Sequence, residues 1–228
     1  MLDPFARLLD ADALIIVLLG TVLATLARQG WHDVKLAVPA AIGLLGKGFD
    51  ADATRSALAR TVGEINRFGH LGAQPVDPPD TATRELLDTY IWSGSIEAML
   101  KLARAQRLKR EINSVAAVRV YENAGELAPV FGLVGTLFAI TQLMPDLSAS
   151  ASQTVMRSVA GAVLSTLYGV LSAHLVFYPL ARAVERKGDR EETERTMLLD
   201  WFENELTDGR SFPSRASRSS VSGMKDVA

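Results

Sequence analysis

The 228-residue chain contains no cysteine, which excludes disulfides and thiolate metal sites. It also lacks an excess of either charge, because 24 Lys and Arg residues stand against 26 Asp and Glu residues, and this balance argues against nucleic-acid binding. It has no His-Glu-x-x-His zinc pair, no Gly-x-Ser-x-Gly nucleophile turn and no glycine-rich phosphate loop. These absences predict a protein that is not an enzyme, needs no cofactor and binds no nucleic acid.

Charged residues are missing from three long stretches, 13–27, 127–145 and 158–180. A bilayer core about 30 Å thick needs about 20 residues of helix, and the third stretch meets that length without a polar face. We therefore predict an all-α integral membrane protein with three transmembrane helices, plus a helical cytoplasmic domain, in a bilayer whose lipid surrounds those helices. The acidic residues before the first stretch favour a retained anchor over a cleaved signal peptide, which has a positive n-region.

The distribution of Lys and Arg predicts how the chain is oriented. Thirteen of these residues lie in 28–126 and nine lie beyond 180, whereas 1–12 and 146–157 have one each. We therefore expect a periplasmic N-terminus over 1–12, a cytoplasmic domain over 28–126, a periplasmic loop over 146–157 and a cytoplasmic C-terminus. After the third span, the sequence predicts a cytoplasmic helix over 181–207 and a disordered Ser- and Arg-rich tail over 208–228.

The segment 28–126 is predicted to be mainly helical. Residues 36–48 are apolar but too short to span, so they suit a helix at the membrane interface or one packed in the cytoplasmic base. Amphipathic patterns predict helices over 52–68 and 81–92, separated by a Gly- and Pro-rich loop over 69–80. Ser95 is typical of a helix N-cap, and we expect the helix that follows it to run without a break into the second span.

Small residues mark candidate contact faces, because helices in a bilayer associate by close packing. The candidate packing residues are Gly132, Gly135, Gly161, Ser165, Gly169 and Ala173. Their spacing does not decide between packing within one subunit and packing between subunits.

Polar residues are few within the three spans. Thr136 and Thr166 lie on faces of small residues, where each hydroxyl can bond the carbonyl four residues back or line a hydrated path. His174 is the only ionisable residue in the spans, so it is a candidate for proton handling. Pro129 and Pro179 are expected near the cytoplasmic face, which places Thr136 about 10 Å deep and Thr166 about 20 Å deep.

Two membrane motifs resemble those of the MotA/TolQ/ExbB proton-channel proteins. One is the run from Ala124 to Thr136 (AGELAPVFGLVGT), and the other is Leu164–Gly169 (LSTLYG) followed by His174–Ala181 (HLVFYPLA). The resemblance implies a bacterial inner-membrane protein that forms a homopentamer around two copies of a single-span MotB/TolR/ExbD-like partner. The partner would supply a membrane Asp, the translocated ion would be H+, and ion flow would turn the pentamer.

The same resemblance gives roles to four of the candidates. Thr136 and Thr166 correspond to threonines that face the partner's aspartate, and Pro129 and Pro179 correspond to two prolines that we take as hinges. On this basis the sequence favours a MotA-like flagellar stator subunit. A TolQ/ExbB-like subunit that energises envelope processes is the alternative, and a structural membrane scaffold or an intramembrane enzyme is the alternative of another class.

Two features depart from the MotA pattern. The chain has three spans, as TolQ and ExbB do, where MotA has four. Aligned on Gly69, the positions of MotA's rotor-facing Arg and Glu hold Asn66 and Gln74, with Arg67 adjacent. Candidates for a rotor or other partner contact are Arg67, Gln74, Arg104 and Arg107. The basic run that contains Arg104 and Arg107 also fits a solvated helix face.

Overall fold

The computed structural model describes residues 10–141 and 151–211, and every regular element within these ranges is helical. In chain order the elements are α1 (Ala11–Gln29), α2 (Trp31–Gly43), α3 (Ala51–Phe68), α4 (Thr81–Ser93), α5 (Ile96–Thr141), α6 (Ala151–Leu171), a π-helical segment (Ser172–Phe177) and α7 (Tyr178–Ser211). The predicted all-α class is confirmed. The predicted periplasmic N-terminus lies mostly outside the described residues, and most of the predicted tail, 212–228, lies outside them as well.

Three helical stretches are long and apolar enough to cross a membrane, namely Ala11–Gln29, Ile96–Thr141 and Ser158–Asp208. Two of them contain the whole of an uncharged stretch, 13–27 or 158–180, and Ile96–Thr141 contains the part of 127–145 that the structure describes, so the prediction of three membrane helices is confirmed. In two of them the helix continues far beyond the apolar part. The expectation that a long helix enters the second span without a break is also correct, because α5 has 46 residues.

Acidic N-caps and glycine ends set the limits of the shorter helices. Asp10, Asp50 and Asp80 each accept hydrogen bonds from backbone N–H groups in the first turn of α1, α3 and α4, where the carboxylate also meets the positive end of the helix dipole. Each of these helices ends at a glycine with positive φ: Gly30, Gly69 or Gly94. The predicted N-cap of α5 is confirmed, because the Ser95 hydroxyl accepts a 3.2 Å hydrogen bond from the Ala98 N–H.

The chain divides into two compact units. The first contains residues 10–48, 109–141 and 151–190, and hence α1, α2 and the apolar parts of the long helices. In this unit α2 packs through Ala37 against Ala117 and Val184, and the Tyr121 hydroxyl donates a 2.7 Å hydrogen bond to the Ala37 carbonyl. Of the two places predicted for residues 36–48, the structure therefore favours packing against the base of the long helices.

The second unit contains residues 49–108 and 191–211. Its core is made by α3, α4 and the ends of α5 and α7, and its largest fully buried side chains include Tyr90, Phe202 and Met99. Apolar residues at helical spacing in each of these helices explain the packing, because each helix turns one stripe inward.

Within this second unit, an ion pair joins α7 to the N-terminal end of α4. Arg195 on α7 donates a 2.6 Å hydrogen bond to Asp80, and its guanidinium lies over the Phe49 ring at 4.1 Å. Burial pushes the pKa of Asp80 upward, but the hydrogen bonds from Arg195 and Thr83 outweigh burial and hold the pKa below its ordinary value. No local sequence pattern indicates this pair, because its members are 115 positions apart in the chain.

Two predicted boundaries need correction. Helix α6 begins at Ala151, inside the segment predicted as a loop over 146–157, because no Gly or Pro interrupts the residues before the third span. Helix α7 continues to Ser211, four residues beyond the predicted end at 207 and into the predicted tail, because its last turns are tied to the core through Phe202 and Leu206. The C-terminal end of the second span falls partly in 142–150, outside the described residues.

Candidate ion-path site

Helices α5 and α6 lie in close contact where glycines face each other. A Cβ built on Gly169 would lie 2.6 Å from the Ala128 carbonyl oxygen and 3.0 Å from the Gly132 Cα. A Cβ built on Gly132 would lie 3.0 Å from the Ser165 carbonyl oxygen. Any side chain at either glycine would therefore push the two backbones apart.

Ser165 occupies the remaining space in this contact. Its side chain is fully buried, and its hydroxyl donates a 3.1 Å hydrogen bond to the Gly132 carbonyl. Gly135 lies directly over the same hydroxyl, since a Cβ built on Gly135 would clash with the Ser165 Oγ. The structure thus brings together four of the six predicted packing residues in one contact within the chain. Of the other two, Ala173 is fully buried, and Gly161 lies beside the Asp10 carboxylate.

This contact shows that the two prolines do not lie at one depth. A Cβ built on Gly169 would lie 3.1 Å from the Pro129 Cα, so Pro129 is level with Gly169. Pro179 follows ten residues later, which is about 15 Å along a helix. Pro129 and Pro179, which are both expected near the cytoplasmic face, therefore lie at different levels along the helices. The hydrophobicity pattern gives the ends of each helix but not the register of one helix against another.

The two threonines lie closer in depth than expected, and in the opposite order. The Thr166 Cα would be 3.2 Å from a Cβ on Gly132, and Thr136 lies one turn beyond Gly132 toward the Thr141 end of α5. About 6 Å along the helix axis separates their levels. The Thr136 hydroxyl donates a 2.6 Å hydrogen bond to the Leu133 carbonyl, three residues back rather than four.

A π-helical segment interrupts the third span just before Pro179. The Tyr178 N–H bonds the Ala173 carbonyl, five residues back, in place of the α-helical partner. Proline explains this register, because Pro179 has no N–H and its ring crowds the carbonyl four residues earlier. His174 lies in this segment with its ring 5.4 Å from the Tyr178 ring, and it remains exposed within the single chain.

Helix α1 contributes polar residues that the sequence analysis did not single out. Its buried face is Ala13, Val17, Thr21 and Thr25, one residue per turn. The Thr21 hydroxyl donates a 2.6 Å hydrogen bond to the Val17 carbonyl, whereas the buried Thr25 hydroxyl has no hydrogen-bond partner among the residues that the structure describes. The four-residue spacing was a readable signal for this face.

Both ends of α1 are fixed against the long helices. The Asp10 N–H donates a 2.9 Å hydrogen bond to the Tyr168 hydroxyl, and Arg28 forms a 3.2 Å ion pair with Glu126. Between these ends, Gly20 accommodates the Phe131 ring. These contacts hold α1 alongside the α5–α6 crossing.

The candidate partner-contact residues belong to the second unit, whereas Thr136 and Thr166 belong to the first. Arg67, Gln74 and Arg104 are exposed. Arg107 pairs with Glu192 at 3.6 Å, which ties the start of α5 to α7. Within the described parts of the chain, no group of three or more His, Cys, Asp or Glu side chains is placed to hold a metal ion.

Residues 80–197 match the sequence model of the MotA/TolQ/ExbB proton channel family. The chemotaxis protein PomA of Vibrio alginolyticus is 23% identical over 201 residues, which cover 84% of this chain and 75% of PomA.

Two solved structures share the fold. The C. jejuni MotAB structure superposes with a TM-score of 0.75 at 16% identity, covering 90% of this chain and 80% of that one. The flagellar MotAB stator complex of Bacillus subtilis gives 0.73 at 19% identity, covering 89% and 80%.

Proposed function

Because the chain belongs to the MotA/TolQ/ExbB proton channel family, we propose that it is the channel-forming subunit of a proton-driven motor of the flagellar stator kind. The names of its similar proteins support the flagellar form, since they include PomA and two MotAB complexes. The observation that carries the proposal is the close α5–α6 crossing, which sets Thr136 and Thr166 about one turn apart in depth.

The chain needs a partner to conduct protons. Its three uncharged stretches contain no Asp or Glu, so a proton relay through the bilayer lacks a carboxylate. A single-span MotB-like partner with a membrane Asp would supply it. We infer a pentamer of this chain around two copies of the partner, as the family resemblance implies.

Each site residue has a role in this scheme. The hydroxyls of Thr136 and Thr166 would stabilise the charged form of the partner's carboxylate or hold the water that delivers its proton. Pro129, level with the crossing, and Pro179, beyond the π-helical segment, would allow the two helices to bend at different depths. His174 would line the ion path near its end.

The positions of Lys and Arg support a particular orientation of the chain in its membrane. We place the chain in the bacterial inner membrane with its N-terminus in the periplasm and its C-terminus in the cytoplasm, because Lys and Arg concentrate in 28–126 and beyond 180.

Energising an envelope process, as TolQ and ExbB do, is the second candidate. Asn66 and Gln74 favour it, because they leave the rotor-facing positions of the MotA pattern without charge. Deletion of the gene separates the two functions. Cells that build flagella but do not swim support the stator, whereas normal swimming with a leaky envelope or lost siderophore uptake supports the second candidate.

The channel itself is tested by co-expressing the chain with its single-span partner and measuring proton flux into vesicles. We expect flux from the complex, none after the partner's membrane Asp is replaced by Asn, and a five-to-two ratio by native mass spectrometry. A stable monomer without flux would contradict the proposal.

A further inference from the structure

Three large apolar side chains are exposed at one end of the second unit, and we call them the apolar triad. Phe68 is 63% exposed, Leu71 is 77% exposed and Trp92 is 83% exposed. Phe68 ends α3 and Trp92 lies in the last turn of α4. His70 links the two turns, because a Cβ built on Gly94 would lie 2.7 Å from the His70 Nε2. A cluster of exposed apolar side chains that includes two aromatic rings marks a surface that another molecule or chain segment covers.

Helix α7 runs parallel to α3 in this unit. At the start of α3, the Arg195 guanidinium lies over the Phe49 ring at 4.1 Å. Six residues further along both helices, the Arg55 guanidinium lies over the Trp201 ring at 5.0 Å. In both contacts the residue of α7 stands 146 positions after its partner, so the two helices keep one alignment between these contacts.

This alignment brings the end of α7 close to the triad. With the same offset, Ser211 lies level with Ile65, which is three residues before Phe68 and about 4.5 Å from it along the helix axis. Residues 212–228 continue from this point and begin with Phe212. A segment of 17 residues can extend over about 55 Å, so the whole triad is within its reach.

The charges around the triad are complementary to those of residues 212–228. Glu64 on α3 and Asp88 on α4 each lie one turn before a triad residue, and Glu97 lies in the first turn of α5. These three carboxylates outnumber the adjacent Arg67, so the rim of the triad is acidic. Residues 212–228 contain three Arg and Lys residues and one Asp. The acidic rim therefore attracts this segment.

We propose that residues 212–228 dock on the apolar triad of their own chain, with Phe212 supplying the apolar contact and the basic residues facing the acidic rim. The basic residues are Arg215, Arg218 and Lys225. Weak contacts are sufficient, because a short covalent connection gives the segment an effective concentration on the order of 1 mM. The docked segment covers a surface beside Arg67, so it competes with any protein that binds there and forms an autoinhibitory contact. The proposal goes beyond the proposed function and does not depend on it.

The rate at which a cysteine in the triad is alkylated tests the proposal, since the natural chain has no cysteine. Leu71→Cys is made in the full chain, purified in detergent with its membrane partner, and treated with a water-soluble maleimide. Deleting residues 212–228 should raise the alkylation rate about tenfold, the factor expected when the effective concentration of the segment exceeds its dissociation constant about tenfold.

Substitutions within the segment separate its apolar contact from its charge. Phe212→Ser should raise the alkylation rate of Leu71→Cys, because it removes the aromatic contact. Arg215→Glu combined with Arg218→Glu should also raise the rate, because it replaces attraction to the rim by repulsion. Phe212→Tyr, and Arg215→Lys combined with Arg218→Lys, keep the ring and the charges and should leave the rate low.

Met197→Cys is the matched control. Met197 is 67% exposed, and the offset between the helices places it level with Ala51, at the opposite end of α3 from the triad. Its alkylation should be equally fast with and without residues 212–228. This control separates shielding of the triad from a general loosening of the fold.

A photoreactive benzoylphenylalanine in place of Leu71 identifies what covers the triad. We expect adducts with residues 212–228 of the same chain, identified by mass spectrometry on complexes mixed from isotopically labelled and unlabelled chains. Adducts only with lipid, with another copy or with a different protein would overturn the proposal. So would an alkylation rate of Leu71→Cys that the deletion leaves unchanged. Proton flux is a separate measurement, because its absence would overturn the channel without changing the alkylation result.

Discussion

The Ser165 hydroxyl donates a 3.1 Å hydrogen bond to the Gly132 carbonyl, which fixes the register of α6 against α5. This bond lies inside the glycine contact, so sterics and hydrogen bonding specify the same alignment. The contact can hold because Gly132, Gly135 and Gly169 have no side chains.

Gly169→Ala should therefore destabilise the first unit. The new Cβ would lie 2.6 Å from the Ala128 carbonyl oxygen, which is backbone and cannot turn away. We expect a loss of about 1–3 kcal/mol, typical of overpacking, seen as a lower unfolding midpoint in detergent. Gly161→Ala is the control, because its Cβ would meet the Asp10 Oδ2 at an ordinary 3.4 Å. Equal midpoints for the two variants would contradict the close contact.

The alignment of α5 with α7 predicts that an engineered disulfide can join residues 114 and 188. A Cβ built on Gly188 would lie 3.8 Å from the Ser114 Cβ, which suits a disulfide, and the chain has no cysteine to compete. Ser114→Cys with Gly188→Cys should crosslink on mild oxidation, measured by gel shift. The neighbouring pair Ser114→Cys with Asp189→Cys should not, because Asp189 points about a third of a turn away.

Pro179→Ala should reduce that crosslink. The alanine N–H can bond the Leu175 carbonyl, so the π-helical segment can return to α-helix. The two halves of the helix would then rotate by about 100° relative to each other, the turn of one residue. The Ser165 contact and the Gly188 contact cannot then both hold. Undiminished crosslinking would mean that Pro179 does not cause the π register.

Asp80 predicts how the stability of the second unit depends on pH. Because its pKa is lower in the folded protein than the ordinary 3.8, folding favours the charged form. Its contribution is complete above that ordinary value and disappears as the pH falls through the lower folded pKa. Asp80→Asn should cost about 1.5–3 kcal/mol near pH 7, the range for hydrogen bonds to charged groups, since both side chains of the pair are mostly buried.

Thermal unfolding of the wild type and of Asp80→Asn at pH 6 and pH 3 measures this effect. The difference in stability between the two proteins should be smaller at pH 3 than at pH 6. Asp77→Asn is the control, because the Asp77 side chain is 70% exposed in its pair with Arg84 and should matter little at either pH. A difference that is the same at both pH values would exclude the charge of Asp80 as its cause.

The sequence predicted the elements of this fold better than their register. Helices α3 and α4 lie within one residue of their predicted limits, because amphipathic spacing, an Asp cap and a terminal Gly all agree there. The levels of Pro129 and Pro179 were not predictable, because a relative depth depends on which residues two helices place in contact. The π-helical segment was missed for a related reason. A proline near the end of an apolar run fits a simple helix end as well as it fits a change of register.

The candidate site was also predictable from the sequence only in part. The small residues of the crossing were readable from their spacing, since packing in a bilayer selects them. The Asp10–Tyr168 and Asp80–Arg195 bonds were not, because each joins residues more than 100 positions apart. A local pattern contains no information about such pairs.

The orientation of the chain remains a prediction that reporter fusions can test. A fusion after Met144 should be active in the periplasm, and a fusion at Asp77 should be active in the cytoplasm, because the flanking Lys and Arg residues lie on the Asp77 side. The same compartment for both fusions would contradict an odd number of crossings between them.

The hydroxyls of Thr136 and Thr166 provide the test of mechanism. If they face the partner's carboxylate, removing one takes away a hydrogen bond to a charged group, worth about 1.5–3 kcal/mol. At about 1.4 kcal/mol per factor of ten, a rate-limiting proton step would slow by tenfold or more. Valine keeps the shape of threonine, so Thr166→Val and Thr136→Val should assemble normally with the partner but conduct poorly in vesicles.

Thr141→Val is a closely matched control for this experiment. The Thr141 hydroxyl donates 2.7 Å to the Phe138 carbonyl, three residues back, just as Thr136 does to Leu133. Each valine variant therefore loses the same kind of hydrogen bond to its own helix. Thr141 points in a different direction from Thr136, since five residues turn a helix by about 500°, which is one full turn and about 140° more. A flux defect in Thr136→Val that Thr141→Val does not share must come from the position of the hydroxyl. Wild-type flux from both Thr136→Val and Thr166→Val would remove these residues from the ion path and leave their hydroxyls a purely local role.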